Sequence, residues 1–281
     1  MIQSPIAPIE NHRRREKGVL VYPVYSRRSG GLSVGINLFP GQKQCPFDCP
    51  YCEVFPFSTN AEFFLEQMEA DLRAAIAAAQ ERNVPVNDIC FSGNGEPSLS
   101  PDFPAALKLA DCIRREMVSA AELVLITNGA GLLQPEIFSL LQNAAALNIW
   151  LKLDAGTPQW YQKLNRTAIH FEKLIAKIKD FAASAPVTIQ TMLCAVDGKG
   201  PPEEEAQAWE NLTLELAVIA AAAGGIRKIQ IYGKARPAPE DPKTTALPVE
   251  CLEERAASLR RALTAANARS KIPVPPVEVY P

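Results

Sequence analysis

Strand-like runs alternate with amphipathic helical runs along this chain, and that alternation limits the fold more than any other feature. The strand-like runs span residues 34–39, 88–92, 122–127, 148–153, 187–193 and 228–232. Helical patterns follow them over 60–82, 100–117, 135–146, 157–183 (in pieces), 203–223 and 248–267. Six strand–helix units in a row demand a mostly parallel sheet with helices outside it, because a parallel crossover needs a helix-length connection. Six are too few for the usual closed eight-fold barrel. An open, partial barrel or a doubly wound sheet remains. Segments 19–25 and 277–280 are candidate edge strands, set off by Pro-rich linkers at 237–242 and 273–276. Thr59-x-x-Glu62 reads as a capping box for the first helix. Ser100-Pro101 reads as a cap followed by a first-turn proline.

The 281 residues are 47% hydrophobic and 21% charged, enough for one globular unit with a large core. The expected division is an N-terminal extension over 1–33 with an edge strand and a basic segment, the strand–helix body over 34–269, and a Pro-rich tail over 270–281. A net charge of -2 gives no global field that favours nucleic acid. One local run is basic, His12-Arg13-Arg14-Arg15-Glu16-Lys17, joined by Arg27-Arg28. It is either a solvated arm or a phosphate-contacting patch. No apolar run is long enough to span a membrane. Residues 1–10 carry Pro5, Pro8 and Glu10 without an apolar centre and do not read as a secretory signal. A cytoplasmic location is expected, where the seven cysteines are reduced thiols or metal ligands. Cys90, Cys112, Cys194 and Cys251 are scattered inside strand or helix patterns and read as small apolar residues.

Alternation within the strands says more. Around residues 148–154, Ile149, Leu151 and Leu153 share one face, while Asn148, Trp150, Lys152 and Asp154 share the other. The next strand places Thr188, Gln190, Met192 and Cys194 on that second face, and the last places Gln230 and Tyr232 there. Parallel strands in a packed core are normally apolar on both faces. A barrel accounts for the pattern: its apolar face meets the helices and its polar inner face binds something, with the site at the C-terminal ends of the strands.

The loop after the first strand reads Cys45-Pro46-Phe47-Asp48-Cys49-Pro50-Tyr51-Cys52. Thiolates suit zinc or iron–sulfur clusters. A structural zinc site wants four protein ligands, and no fourth Cys or His lies nearby in sequence. Three thiolates leave one metal position open to a small molecule. After the second strand comes Ser92-Gly93-Asn94-Gly95-Glu96-Pro97. Its glycines permit close backbone approach to a ligand, and its exposed backbone groups and carboxylate can hold an ammonium group.

With Cys-x3-Cys-x2-Cys, Gly93–Pro97 and six strand–helix units, most of the chain resembles a radical SAM (radical AdoMet) enzyme. The resemblance implies an α/β fold, a partial (β/α)6 barrel of radical SAM type. It implies a [4Fe-4S] cluster on Cys45, Cys49 and Cys52, whose open iron chelates S-adenosylmethionine. Tyr51 would lie near the adenine. Gly93, Asn94, Gly95 and Glu96 match the stretch that meets the methionine amino group, Asp154 a ribose-binding position, and Asn128 a further cofactor-binding position. The family's fifth-strand adenine contact would fall within 191–194. The implied activity is reductive cleavage of S-adenosylmethionine to methionine and a 5'-deoxyadenosyl radical, which abstracts hydrogen from a small-molecule or peptide substrate. An electron donor such as flavodoxin or ferredoxin is the implied partner. The protein must exclude water and hold the target carbon close.

Ser26-Arg27-Arg28, Gly35–Leu38, Cys49–Glu53, Leu153–Gly156 and Asn165-Arg166-Thr167 are similar to a branch close to the tRNA wyosine-base synthases. Those enzymes carry extra cysteines upstream for a second cluster, and none precedes Cys45 here. Action on a tRNA base remains the alternative, and a non-catalytic metal-binding protein a second one. Lys152 is the candidate catalytic side chain, as a substrate carboxylate anchor or a Schiff-base amine, against a simple partner for an inner carboxylate. Arg166 either binds the S-adenosylmethionine carboxylate or caps a turn. His12 and His170 lie outside the motifs.

Overall fold

The computed structural model describes residues 18–281, so the basic run from His12 to Lys17 lies outside the described residues. In chain order the elements are β1 Val21–Ser26, β2 Gly31–Ile36, α1 Leu65–Glu81, β3 Val86–Phe91, α2 Phe103–Met117, β4 Glu122–Thr127, α3 Pro135–Asn143, β5 Leu147–Lys152, α4 Pro158–Leu164, α5 Phe171–Ala182, β6 Val187–Val196, α6 Glu203–Ala220, β7 Ile226–Gly233, β8 Thr244–Ala246, α7 Val249–Ser270 and β9 Val277–Tyr280. They fall into two compact units, one of residues up to 45 with 56–127 and 144–148, the other of residues 46–55, 128–143 and 149–281.

In the first unit the strand order is β1-β2-β3-β4. β1 is the expected edge strand and runs antiparallel to β2, while β2, β3 and β4 run parallel. Helix α2 buries Phe103, Ala106, Leu107, Ala110 and Ile113, the spacing of one helical face. Each large side chain in that seam contributes roughly 1.5–3 kcal/mol. Ile113→Asp would put an unpaired charge there and break it.

Two helix starts differ from the sequence reading. Helix α1 begins at Leu65 behind Phe64, with no side-chain cap. Thr59 is drawn elsewhere, because Ser58 bridges Gln42 in antiparallel fashion. Its backbone N–H donates to the Gly41 carbonyl at 2.8 Å, and its hydroxyl donates to the Pro40 carbonyl at 3.3 Å. The capping box is therefore not formed. Helix α2 begins at Phe103 with Pro104 in its first turn. Ser100 instead accepts from the Asp102 N–H at 3.2 Å, one turn earlier.

In the second unit the order is β5-β6-β7-β9, all parallel, with β9 as the expected second edge. No sequence pattern marks β8, which pairs antiparallel with the end of β6. Under that cover β6 extends to Val196 and all ten of its residues are buried. The polar face survives in the register: Lys152, Gln190 and Gln230 stand side by side across three strands, and the Gln190 amide donates to Gln230 Oε1 at 2.7 Å. Leu151, Ile189 and Ile229 lie fully buried on the other face. Thr157 caps α4 by accepting from the Trp160 N–H at 3.2 Å.

Candidate active site

In the first unit, the turn after β3 is built on two close approaches. Gly93 has φ +123°, and a Cβ there would sit 2.7 Å from Asn37 Oδ1. A Cβ on Gly95 would sit 2.0 Å from the Gln44 carbonyl oxygen. Glycine alone allows both. The approach lets Gln44 N–H donate to the Asn94 carbonyl at 2.9 Å and Glu96 N–H donate to the Gln44 carbonyl at 2.9 Å. The residue before Cys45 is thereby tied to the glycine turn. Asn94 adds two bonds, its backbone N–H to Asn37 Oδ1 at 3.1 Å and its amide to the Phe39 carbonyl at 3.3 Å. Glu96 is 2% exposed. Its Oε1 accepts from Ser98 N–H at 3.2 Å, Ser98 Oγ at 2.6 Å and Thr127 Oγ1 at 2.7 Å.

In the second unit, the segment holding Cys49, Tyr51 and Cys52 is fixed from several sides. Cys52 N–H donates to the Cys49 carbonyl at 3.0 Å, closing a tight turn. Asp48 N–H donates to the Asn165 carbonyl at 3.0 Å, and Arg166 Nε donates to the Asp48 carbonyl at 2.6 Å. The Arg166 guanidinium forks onto Glu240, with Nη1 at 2.9 Å from Oε2. Thr244 Oγ1 donates to the Pro50 carbonyl at 3.1 Å, and Arg236 pairs with Glu53 at 2.6 Å. Phe47 meets Tyr161 edge to face, ring centres 5.8 Å apart.

Behind this turn Asp154 is a hub. Oδ1 accepts from the Met192 N–H at 2.9 Å. Oδ2 accepts from the Tyr51 hydroxyl, from the Asn165 amide at 3.3 Å and from Lys152 Nζ at 3.2 Å. Lys152 also donates to the Tyr232 hydroxyl and lies over both rings, 5.0 Å from that of Tyr51 and 5.1 Å from that of Tyr232. Burial alone would push Lys152 down, but Asp154, Tyr232 and Cys49 outweigh it and hold the ammonium above the ordinary lysine value. Burial also pushes the Tyr51 hydroxyl well up, with the Asp154 charge adding to it. The Cys49 thiol is pushed up to about 11 by burial, against the pull of Lys152. Asn165 donates its amide to Cys49 Sγ at 3.6 Å.

The sequence candidates thus fall into two groups. Gly93, Asn94, Gly95 and Glu96 come together beside Gln44. Tyr51, Lys152 and Asp154 form one hydrogen-bonded network at Cys49. Arg166 is committed to Asp48 and Glu240. Asn128 Oδ1 caps the turn after β4 by accepting from the Ala130 N–H at 2.9 Å. His170 precedes α5 and its side chain caps nothing. Sequence reasoning gave no role to Asn165 or Tyr232. Asn165 stood inside a quoted motif, and Tyr232 on the polar face of β7, but only the fold brings them to Cys49 and Lys152.

The Radical SAM superfamily profile matches residues 39–208, more than half of the chain. The chain belongs to the Radical SAM superfamily, a family of enzymes. A UPF0026 protein of Helicobacter pylori is 29% identical over 123 residues, which cover 43% of this chain and 38% of that protein. The chain spans 38% to 63% of the length of the curated relatives it matches. A radical SAM methyltransferase from Sphaerobacter thermophilus superposes with a TM-score of 0.62 at 16% identity, covering 92% of this chain and 69% of that one. Archaeal TYW1 superposes with a TM-score of 0.53 at 12% identity, covering 93% and 90%. These likenesses establish the expected fold class, a partial barrel of radical SAM type. Among the described residues no helix is long and apolar enough to cross a membrane.

Proposed function

We propose that this chain is a radical SAM enzyme in which Cys45, Cys49 and Cys52 hold a [4Fe-4S] cluster that binds S-adenosylmethionine. The observation that carries this reading is the Cys49–Cys52 turn, fixed by Asn165, Arg166 and Thr244 and backed by the Asp154 network. Two features of the chain fit it. The donor set is thiolate, the set that iron–sulfur clusters take. The Tyr161 hydroxyl is buried without a hydrogen-bond partner, and burial, with nearby Cys49 adding to it, holds its pKa above the ordinary value. A cluster sulfide would supply the acceptor.

When bound and reduced, the cluster supplies the electron that cleaves S-adenosylmethionine into methionine and the 5'-deoxyadenosyl radical that takes hydrogen from the substrate. The chain's own residues do the rest. The Gly93–Glu96 turn would offer backbone groups and the Glu96 carboxylate to the methionine ammonium. Tyr51, fixed by Asp154, would lie near the adenine. Asp154 spends its oxygens on Met192, Tyr51, Asn165 and Lys152, so its part is to hold these groups in place. Lys152 is kept charged, which supports an anion anchor or a fixed cation over a Schiff-base amine. Asn128 shapes the turn after β4, and Arg166 clamps the Asp48 backbone.

Anaerobic reconstitution with iron and sulfide should give a brown protein, and S-adenosylmethionine with a reductant should yield 5'-deoxyadenosine. A Cys49→Ala protein that keeps a full cluster and full cleavage would refute the assignment. Zinc without iron in anaerobically prepared protein would do the same.

A further inference from the structure

The Asn165 side-chain amide touches a cysteine of the motif. Its Nδ2 carries two hydrogens, and the structure gives each an acceptor: Cys49 Sγ at 3.6 Å and Asp154 Oδ2 at 3.3 Å. The opposite amide orientation would set its oxygen against a carboxylate and a sulfur, both electron-rich. Asp154 cannot turn aside to relieve that clash, since the Met192 N–H, the Tyr51 hydroxyl and Lys152 hold it. The Asn165 backbone is fixed as well: its carbonyl takes the Asp48 N–H at 3.0 Å, and the next residue, Arg166, has φ +43° and donates to the Asp48 carbonyl. One dipeptide therefore holds the backbone beside Cys49 and aims an N–H at its sulfur.

We infer that Asn165 is a positioning residue that sets the reduction potential of the cluster through its hydrogen bond to Cys49; this rests on the cluster proposed above. A reduced cluster carries one more negative charge than the oxidised one. A donor to a ligand sulfur stabilises the reduced form more, and so raises the potential. Lys152, over the neighbouring Tyr51 ring, adds positive charge in the same sense.

The experiment is redox titration of the reconstituted cluster, followed by the EPR signal of the reduced state. Asn165→Ala removes the donor, and Asn165→Leu removes it while keeping the volume. The reduction equilibrium constant should fall roughly tenfold in each, a downward shift of about 59 mV for one electron. Iron content should match the parent. A purely structural role would lower the melting temperature or the iron content while leaving the potential of loaded molecules where it was, and that result overturns the inference. If neither variant retains iron, pulsed EPR of the reduced parent labelled with 15N-asparagine decides. Coupling of one asparagine nitrogen to the cluster supports the inference, and no coupling overturns it. A parent that takes up no iron and sulfide overturns the cluster reading and this inference with it.

Discussion

Two buried carboxylates, one in each unit, have surroundings that differ in kind. Asp154 is held by an ammonium, a phenol, an amide and a backbone N–H. Oε1 of Glu96 takes its bonds from Ser98 and Thr127, all neutral donors. The first arrangement neutralises the acid within the protein and makes a rigid unit of Tyr51, Lys152 and Asn165. The second gathers two hydroxyls and a backbone N–H round one carboxylate oxygen. Internal compensation makes one rigid unit round Asp154, whereas the donors to Glu96 tie the turn after β3 to the end of β4.

The largest effect should come from breaking the compensated pair. Lys152→Met leaves Asp154 as a buried charge and should cost about 3–5 kcal/mol in urea unfolding. Lys152→Met with Asp154→Asn should recover much of that loss; if the double variant is as unstable as the single one, the two residues are not a compensating pair. Thr127→Val removes one neutral donor from Glu96 and should cost roughly 1.5–3 kcal/mol in the same assay. A loss as large as that of Lys152→Met would mean that Glu96 depends on its partners as Asp154 does.

Tyr161→Phe goes the other way. Removing a buried hydroxyl that has no partner should stabilise the metal-free chain by about 1 kcal/mol in thermal unfolding. If the proposed cluster supplies the missing acceptor, the reconstituted protein should show no such gain. The gentlest test is a pH series on Asp88, a third buried acid, which accepts from the Ser33 hydroxyl. Burial raises its pKa above the ordinary value, against the pull of Ser29 and Ser33. The folded state therefore binds this proton more tightly than the unfolded one. Stability gains from it as pH falls through the raised folded value, and the gain is complete below the unfolded value. Asp88→Asn should remove that rise from the stability–pH curve while leaving the rest of the curve in place.

Much of this was legible in the sequence because strands and helices advertise themselves by period. β4 and the two edges were found close to their ends, and the polar face of β5, β6 and β7 followed from simple alternation. The misplaced starts of α1 and α2 share one cause. A cap is a local signal, and at Thr59 a contact with residues 40–42 competes with it and wins. β8 escaped notice because a three-residue strand has no period to read. It exists because the Pro-rich return brings Thr244–Ala246 alongside β6.

By itself the sequence determined the family to which the chain belongs. Three thiols at fixed spacing and a glycine turn ending in Glu96 are covalent facts, and the order of elements follows from hydrophobic period. Only the tertiary structure decided how the charges are arranged. Lys152 finds Tyr232 eighty residues away, and Asn165 reaches back 116 residues to Cys49. Such pairings depend on strand register and on a single left-handed turn at Arg166. No local pattern encodes them, because the energy that selects them is collected only when both partners leave water together.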